Sequence, residues 1–137
     1  MIHHLNFQVP QGLARDCAAF YELLGFARVT PPPALADRAI WLEHDGFEIH
    51  LQFRSADGAE VKVAGGSGPG HAAFVIADYT AVTAALELAG VELQPRAAHW
   101  GSPRCYVRDP AGNRLELMET APIVAGANYE ASRDREA

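Results

Sequence analysis

The sequence predicts an α+β fold built from two tandem βαβββ modules. Three observations carry that expectation. Short runs alternate apolar and polar residues, as half-buried strands require. Two helical stretches each end on a glycine, and the whole order of elements repeats once on either side of a glycine-rich connector. The modules are expected at residues 1–54 and 71–120, with a linker over 55–70 and a tail over 121–137.

The first strand occupies the opening ten residues. Leu5, Phe7 and Val9 alternate there with His4, Asn6 and Gln8, so the two sets face opposite ways. A helix over 14–24 follows, with Cys17, Phe20, Tyr21 and Leu24 on one apolar stripe and Gly25 at its stop. A strand over 26–30 leads into Pro31-Pro32-Pro33, which no helix interior or central strand accepts. Strands over 38–43 and 47–53 are joined at His44-Asp45-Gly46, a hairpin signal. The connector is a loop in which a short strand over 60–63 is expected. The second module repeats the pattern: a strand over 71–76, a helix over 79–89 stopped by Gly90, and strands over 91–94, 104–108 and 112–118. The last of these grows out of Asp109-Pro110-Ala111-Gly112-Asn113, a turn by composition.

Composition excludes several function classes. A chain of 137 residues with net charge −6 and Lys62 as its only lysine is a poor binder of a phosphate backbone, so no nucleic-acid partner is expected. No apolar run approaches the roughly 20 residues that span a bilayer. The opening residues read as a strand and not as a targeting segment, so a cytoplasmic protein is expected. Cys17 and Cys105 are too few and too far apart for a disulfide framework, and both fall on packing faces as inert core residues.

The repeat singles out four side chains. His4-Leu5-Asn6-Phe7-Gln8-Val9 matches His71-Ala72-Ala73-Phe74-Val75-Ile76, and Gly46 to Leu51 matches Gly112 to Leu117. His4 is therefore equivalent to His71, and His50 to Glu116. Glu116 alternates with Leu115 and Leu117 and so points away from the apolar face, where a carboxylate is costly unless it meets a cation or a donor. Two halves that pair their sheets would bring the four positions to one axis. Histidine with carboxylate is a donor set for Zn, Ni, Mn or Fe(II). His3, one residue from His4, is expected on the opposite side.

Several motifs carry a resemblance: His4 with Val9 in the opening strand, Phe20-Tyr21-x-x-Leu24-Gly25-Phe26, Gly70-His71, and Asp109-Pro110-x-Gly112-Asn113-x-Leu115-Glu116-Leu117. With these the chain resembles the vicinal-oxygen-chelate superfamily, which joins glyoxalases, extradiol dioxygenases and bleomycin resistance proteins. The resemblance implies paired modules whose sheets form an open cup around one divalent metal, commonly in a homodimer. It implies His4, His71 and Glu116 as metal ligands, with His50 at a fourth position that varies across the family and serves as ligand or base. The implied activity is that of a glyoxalase-like lyase or isomerase acting on a substrate chelated through vicinal oxygens. An Fe(II) extradiol dioxygenase and a non-catalytic bleomycin-type drug-binding protein are the alternatives. Glu116, His50 and Tyr106 are the candidate catalytic residues. Tyr106, Trp41, Phe53, Trp100 and Arg104 are the candidate substrate contacts, Arg104 through an anionic group.

Overall fold

The structure is a computed structural model that describes residues 2–54, 70–98 and 101–121. The strand expected over 60–63, residues 55–69 of the expected linker, the tail beyond 121 and Trp100 lie outside the described residues. The first module runs β1 (His4–Pro10), α1 (Ala14–Leu23), β2 (Ala27–Val29), β3 (Ala39–His44) and β4 (Phe47–Arg54). The second runs β5 (Ala72–Val75), α2 (Tyr79–Leu88), β6 (Gln94–Pro95), β7 (Arg104–Arg108) and β8 (Arg114–Met118). Each module forms its own four-stranded mixed sheet, in the orders β1-β4-β3-β2 and β5-β8-β7-β6. The α+β architecture of two tandem βαβββ modules is thus the one expected from the repeat. No helix among the described residues is long and apolar enough to cross a membrane.

The repeat holds at the level of strand register. In the first sheet His50 lies beside Asn6 on one neighbour and Trp41 on the other. In the second, Glu116 lies beside Ala73 and Tyr106. His4 and His71 therefore take the same diagonal position relative to His50 and Glu116. A period of two along each strand then puts the members of each pair on one sheet face.

Local chemistry explains where elements begin and end. Asp78 caps α2 by accepting from the Ala81 amide at 3.1 Å. Gly25 and Gly90 follow the two helices with φ of 102° and 81°, the left-handed conformation that glycine adopts without a Cβ clash. The strand expected over 91–94 is displaced to Gln94–Pro95. The Val91 amide instead donates to the Leu86 carbonyl at 2.9 Å, so this stretch closes the end of α2 before it can join the sheet. The proline run opens into a single 3-10 turn, Pro33–Leu35, with its first proline where no amide donor is needed.

One hydrophobic core serves both modules. Val9, Tyr21, Leu42, Ile49 and Leu51 of the first join Leu86, Val107, Leu115 and Leu117 of the second. Phe74 meets Phe26 and Phe47 with ring centroids 5.9 and 6.4 Å apart. The polar link in this core is the Tyr21 hydroxyl, which donates to Asp109 Oδ2 at 2.9 Å. The same carboxylate accepts from the Ala111 and Asn113 amides and from the Asn113 side chain. It thereby fixes the turn that launches β8.

Burial, reinforced by the nearby Asp109 charge, pushes the Cys17 thiol from its usual 9.0 up to about 11. Burial raises the Cys105 thiol as well. Since the thiolate is the reactive form, iodoacetamide at pH 8 should leave both cysteines of the folded protein unmodified and label both in urea. Because the unfolded chain gives up the Cys17 proton at lower pH than the folded one, this thiol contributes stability fully present below pH 9 and lost as pH rises toward 11. The Tyr21→Phe variant, which leaves Asp109 short of a buried donor, should lose about 1–3 kcal/mol. That loss is read as a lower urea midpoint at constant m.

Candidate functional site

The candidate donors lie on the sheet faces turned away from the core, in two halves. In the first half His50 is 7% exposed although it faces away from the apolar core. Two flat rings cover it: Trp41 stacks at 3.9 Å between centroids and an interplanar angle of 2°, and His4 at 4.1 Å and 14°. Its Nε2 lies 2.6 Å from Glu48 Oε2. An ionised carboxylate only accepts, so Nε2 carries the hydrogen and Nδ1 is the basic nitrogen, an assignment made from the bonding pattern. The hydrogen bond from His50 holds the Glu48 carboxyl below its ordinary range, with burial opposing and the neighbouring histidines adding to it.

His3 departs from strand parity. β1 begins at His4, so His3 is not bound by the alternation, and its Nδ1 lies 3.0 Å from His4 Nδ1. Its Nε2 is 4.0 Å from Glu48.

In the second half Glu116 is 6% exposed and both its oxygens are engaged. Arg104 donates from NH1 to Oε1 at 2.6 Å, and His71 Nε2 lies 2.9 Å from Oε2. Arg104 is further held by donation from Nε to the Ala97 carbonyl at 2.7 Å. The Glu116 hydrogen bond raises the Arg104 pKa, so the guanidinium is fully charged. Tyr106 lies beside Glu116 in the sheet, its ring 5.1 Å from that of His71. The cation that answers the inward carboxylate within one chain is therefore an arginine.

The structure thus joins His4 to His50, and His71 to Glu116. Among the described residues no group of three or more His, Cys, Asp or Glu side chains is gathered as one metal ion would need. Chemically the set fits a divalent cation: three imidazoles and a carboxylate, two donors in each half at equivalent register positions. Trp41 and Tyr106 occupy equivalent positions as well, each opposite the central donor of its half. Phe53 falls on the other face of β4, with Ile49 and Leu51, where it is partly buried against the core. The period of two excludes it from the His50 face.

The register also brings out residues that composition did not single out. Glu43 and Glu48 face each other across β3 and β4, and Arg108 and Arg114 take the same places across β7 and β8. Arg96 and Arg114 lie over the Tyr106 ring, 5.0 and 4.7 Å from its centroid. The signal for these was present in the alternation of Arg114, Glu116 and Met118, which puts an arginine on the face of Glu116.

A family model of the Glyoxalase/Bleomycin resistance protein/Dioxygenase superfamily matches residues 2–117. The chain belongs to that superfamily. A glyoxalase family protein from Bacillus anthracis superposes with a TM-score of 0.70 at 28% identity, covering 88% of this chain and 95% of that one. Two more distant structures share the fold. Oxidase ChaP-H2 has a TM-score of 0.65 at 18% identity, with 93% and 98% of the two chains covered. Lactoylglutathione lyase from Agrobacterium tumefaciens has a TM-score of 0.57 at 18% identity, with 86% and 92% covered. No curated protein matches the sequence.

The stack over His50 makes a spectroscopic prediction. In a Trp100→Phe background Trp41 is the remaining indole, and an imidazole in face contact quenches indole emission. His50→Gln should raise Trp41 fluorescence. Unchanged emission would mean that the stack does not form.

Proposed function

We propose that this superfamily member is a divalent-metal-dependent enzyme, a glyoxalase-like lyase or isomerase acting on a small substrate chelated through vicinal oxygens. The observation that supports it is the pair His71 Nε2 and Glu116 Oε2, 2.9 Å apart on a shielded sheet face, with His4 and His50 at the equivalent places of the other module. His4, His50, His71 and Glu116 would hold the ion, and a divalent ion supplies Lewis acidity that stabilises a developing enolate or enediolate. Arg104 fixes Glu116 through Oε1 and leaves Oε2 directed at His71. Glu48 fixes the tautomer of His50, so Nδ1 is the nitrogen free to serve either as a ligand of the ion or, if the ion is held by the other three, as a base. Trp41 and Tyr106 wall the two sides.

Two copies complete this site. The first module of one copy faces the second module of the other, and the donor pairs then meet between chains. Three features support that pairing. Among the described residues β1 and β5 each end a sheet, with one edge unpaired. An apolar cavity of about 630 Å³ lies along both strands, lined by Leu5, Phe7 and Phe74, with Ile2 and Val75 71% and 53% exposed beside it. The faces also carry opposite charge at equivalent places, Glu43 and Glu48 against Arg108 and Arg114. Opposite charge favours first-to-second pairing over either like pairing.

A second reading, an Fe(II) dioxygenase, draws on Tyr106 beside both His71 and Glu116, where it could touch a bound catecholate. Oxygen uptake by iron-loaded protein with a panel of catechols decides it, and no uptake removes it.

Protein purified without chelator should carry about one divalent ion per chain and sediment as a dimer, and Glu116→Ala should lose the ion. Mixing tests the shared site directly. A His4→Ala/His50→Ala chain and a His71→Ala/Glu116→Ala chain, each without the ion, should regain half the ion content as heterodimers. No recovery would place all four donors in one chain, and wild-type protein free of bound ion would end the metal-dependent reading.

A further inference from the structure

We infer that the donor face of the first module carries a subsite for an amide group of the substrate, formed by Asn6 and Gln52 one strand step beyond His4 and His50. The inference rests on the proposed metal reading and deepens it by naming a second functional group that the substrate carries.

The two amides repeat the geometry of the donors. Asn6 lies beside His50 in the sheet, and Gln8 beside Gln52. Asn6 therefore stands diagonal to Gln52 as His4 does to His50, on the same sheet face. Its Nδ2 donates to Gln52 Oε1 at 3.1 Å. Asn6, Gln8 and Gln52 are all exposed on this face. The chain holds seven Asn and Gln residues in all, so three of them together beside one donor pair are not a reflection of composition. The equivalent places of the second module hold Ala73, Val75 and Met118, so the fold does not require amides there either. In paired copies that apolar set faces the amides across the site and keeps water from the hydrogen bonds they make.

The hydrogen bond between the two side chains uses one donor and one acceptor. What remains is a matched set, the Asn6 carbonyl oxygen to accept and the Gln52 NH2 group to donate. Exchanging oxygen and nitrogen in both side chains leaves one of each again, so the conclusion does not depend on that assignment. A carboxamide presents the complementary pair, a carbonyl oxygen and an N–H, and satisfies both groups at once. A carboxylate only accepts and would meet the Asn6 oxygen, whereas an ammonium only donates and would meet the Gln52 NH2 group. One strand step of two residues is about 7 Å, so a short spacer joins the amide to the oxygens that chelate the ion.

Hydroxamates chelate a divalent ion through vicinal oxygens and serve as probes. Acetohydroxamate reports on the ion alone. Three longer hydroxamates share a two-carbon spacer and end in a carboxamide, a carboxylate or an isopropyl group of nearly equal size. In calorimetric titrations of zinc-loaded protein the carboxamide probe should bind at least about fivefold more tightly than the isopropyl probe. That ratio should fall to about one in Gln52→Leu and in Asn6→Leu, both at exposed positions where the fold is kept. Gln11→Leu, in the turn after β1, should keep the ratio of the wild type. Equal affinities in the wild type, tighter binding of the isopropyl or carboxylate probe, or an unchanged ratio in either Leu variant at 6 or 52 would each overturn the inference. A preference for the carboxylate would point instead to Arg54 at the end of β4. With acetohydroxamate bound, each of these failures leaves the metal reading standing. Wild-type protein that takes up no zinc or binds no acetohydroxamate would end both.

Discussion

The buried Asp109 carboxylate is the interaction on which the rest of the structure depends. It is 3% exposed and accepts from four donors, two turn amides, the Asn113 side chain and the Tyr21 hydroxyl. A buried charge is tolerable only when it is answered so fully, because each lost partner leaves a desolvated oxygen behind. Three of the donors lie in the turn that orients β8 and hence Glu116. The fourth belongs to α1 of the other module. One carboxylate therefore couples the direction of the donor strand to the packing of the two halves, and its charge reaches the neighbouring Cys17 thiol.

On the opposite sheet faces the same economy applies to different groups. Glu116 is buried against Arg104 and His71, and His50 is shielded by two stacked rings and held by Glu48. Each half engages its buried carboxylate and imidazole groups within one chain, Glu116 with Arg104 and His71, and His50 with Glu48. The halves remain separate because their sheets end at β1 and β5 and meet through the apolar core, with side chains of Phe26, Phe47 and Phe74 between them.

The duplication preserved positions more strictly than chemistry. Backbone register is the same in both modules, since a slip by one residue would turn every core side chain outward. The outward-facing set was free to diverge: Trp41 corresponds to Tyr106, His50 to Glu116, and two glutamates to two arginines. That divergence gives a symmetric scaffold two unlike faces, one acidic and one basic.

The fold was legible from the sequence for a physical reason. The period of two in the strands, the apolar stripe of α1 and the glycines after both helices are local rules, and the repeat applied them twice. The equivalence of His4 with His71 and of His50 with Glu116 in strand register followed from the same rules. Where a stretch had two local options, as at Val91, the hydrogen bond to Leu86 that closes α2 outcompeted the strand. Parity alone could also have withheld Phe53 from the donor face, since it shares its side with Ile49 and Leu51. Tertiary structure alone decided which cation meets Glu116, because Arg104 reaches it from a neighbouring strand whose register no local pattern specifies. It alone decided that arginines from three strands or strand ends surround Tyr106, and that four candidate donors fall into two separate pairs. Local periodicity determines what each strand presents, and only the packing of strands against one another determines what those side chains meet.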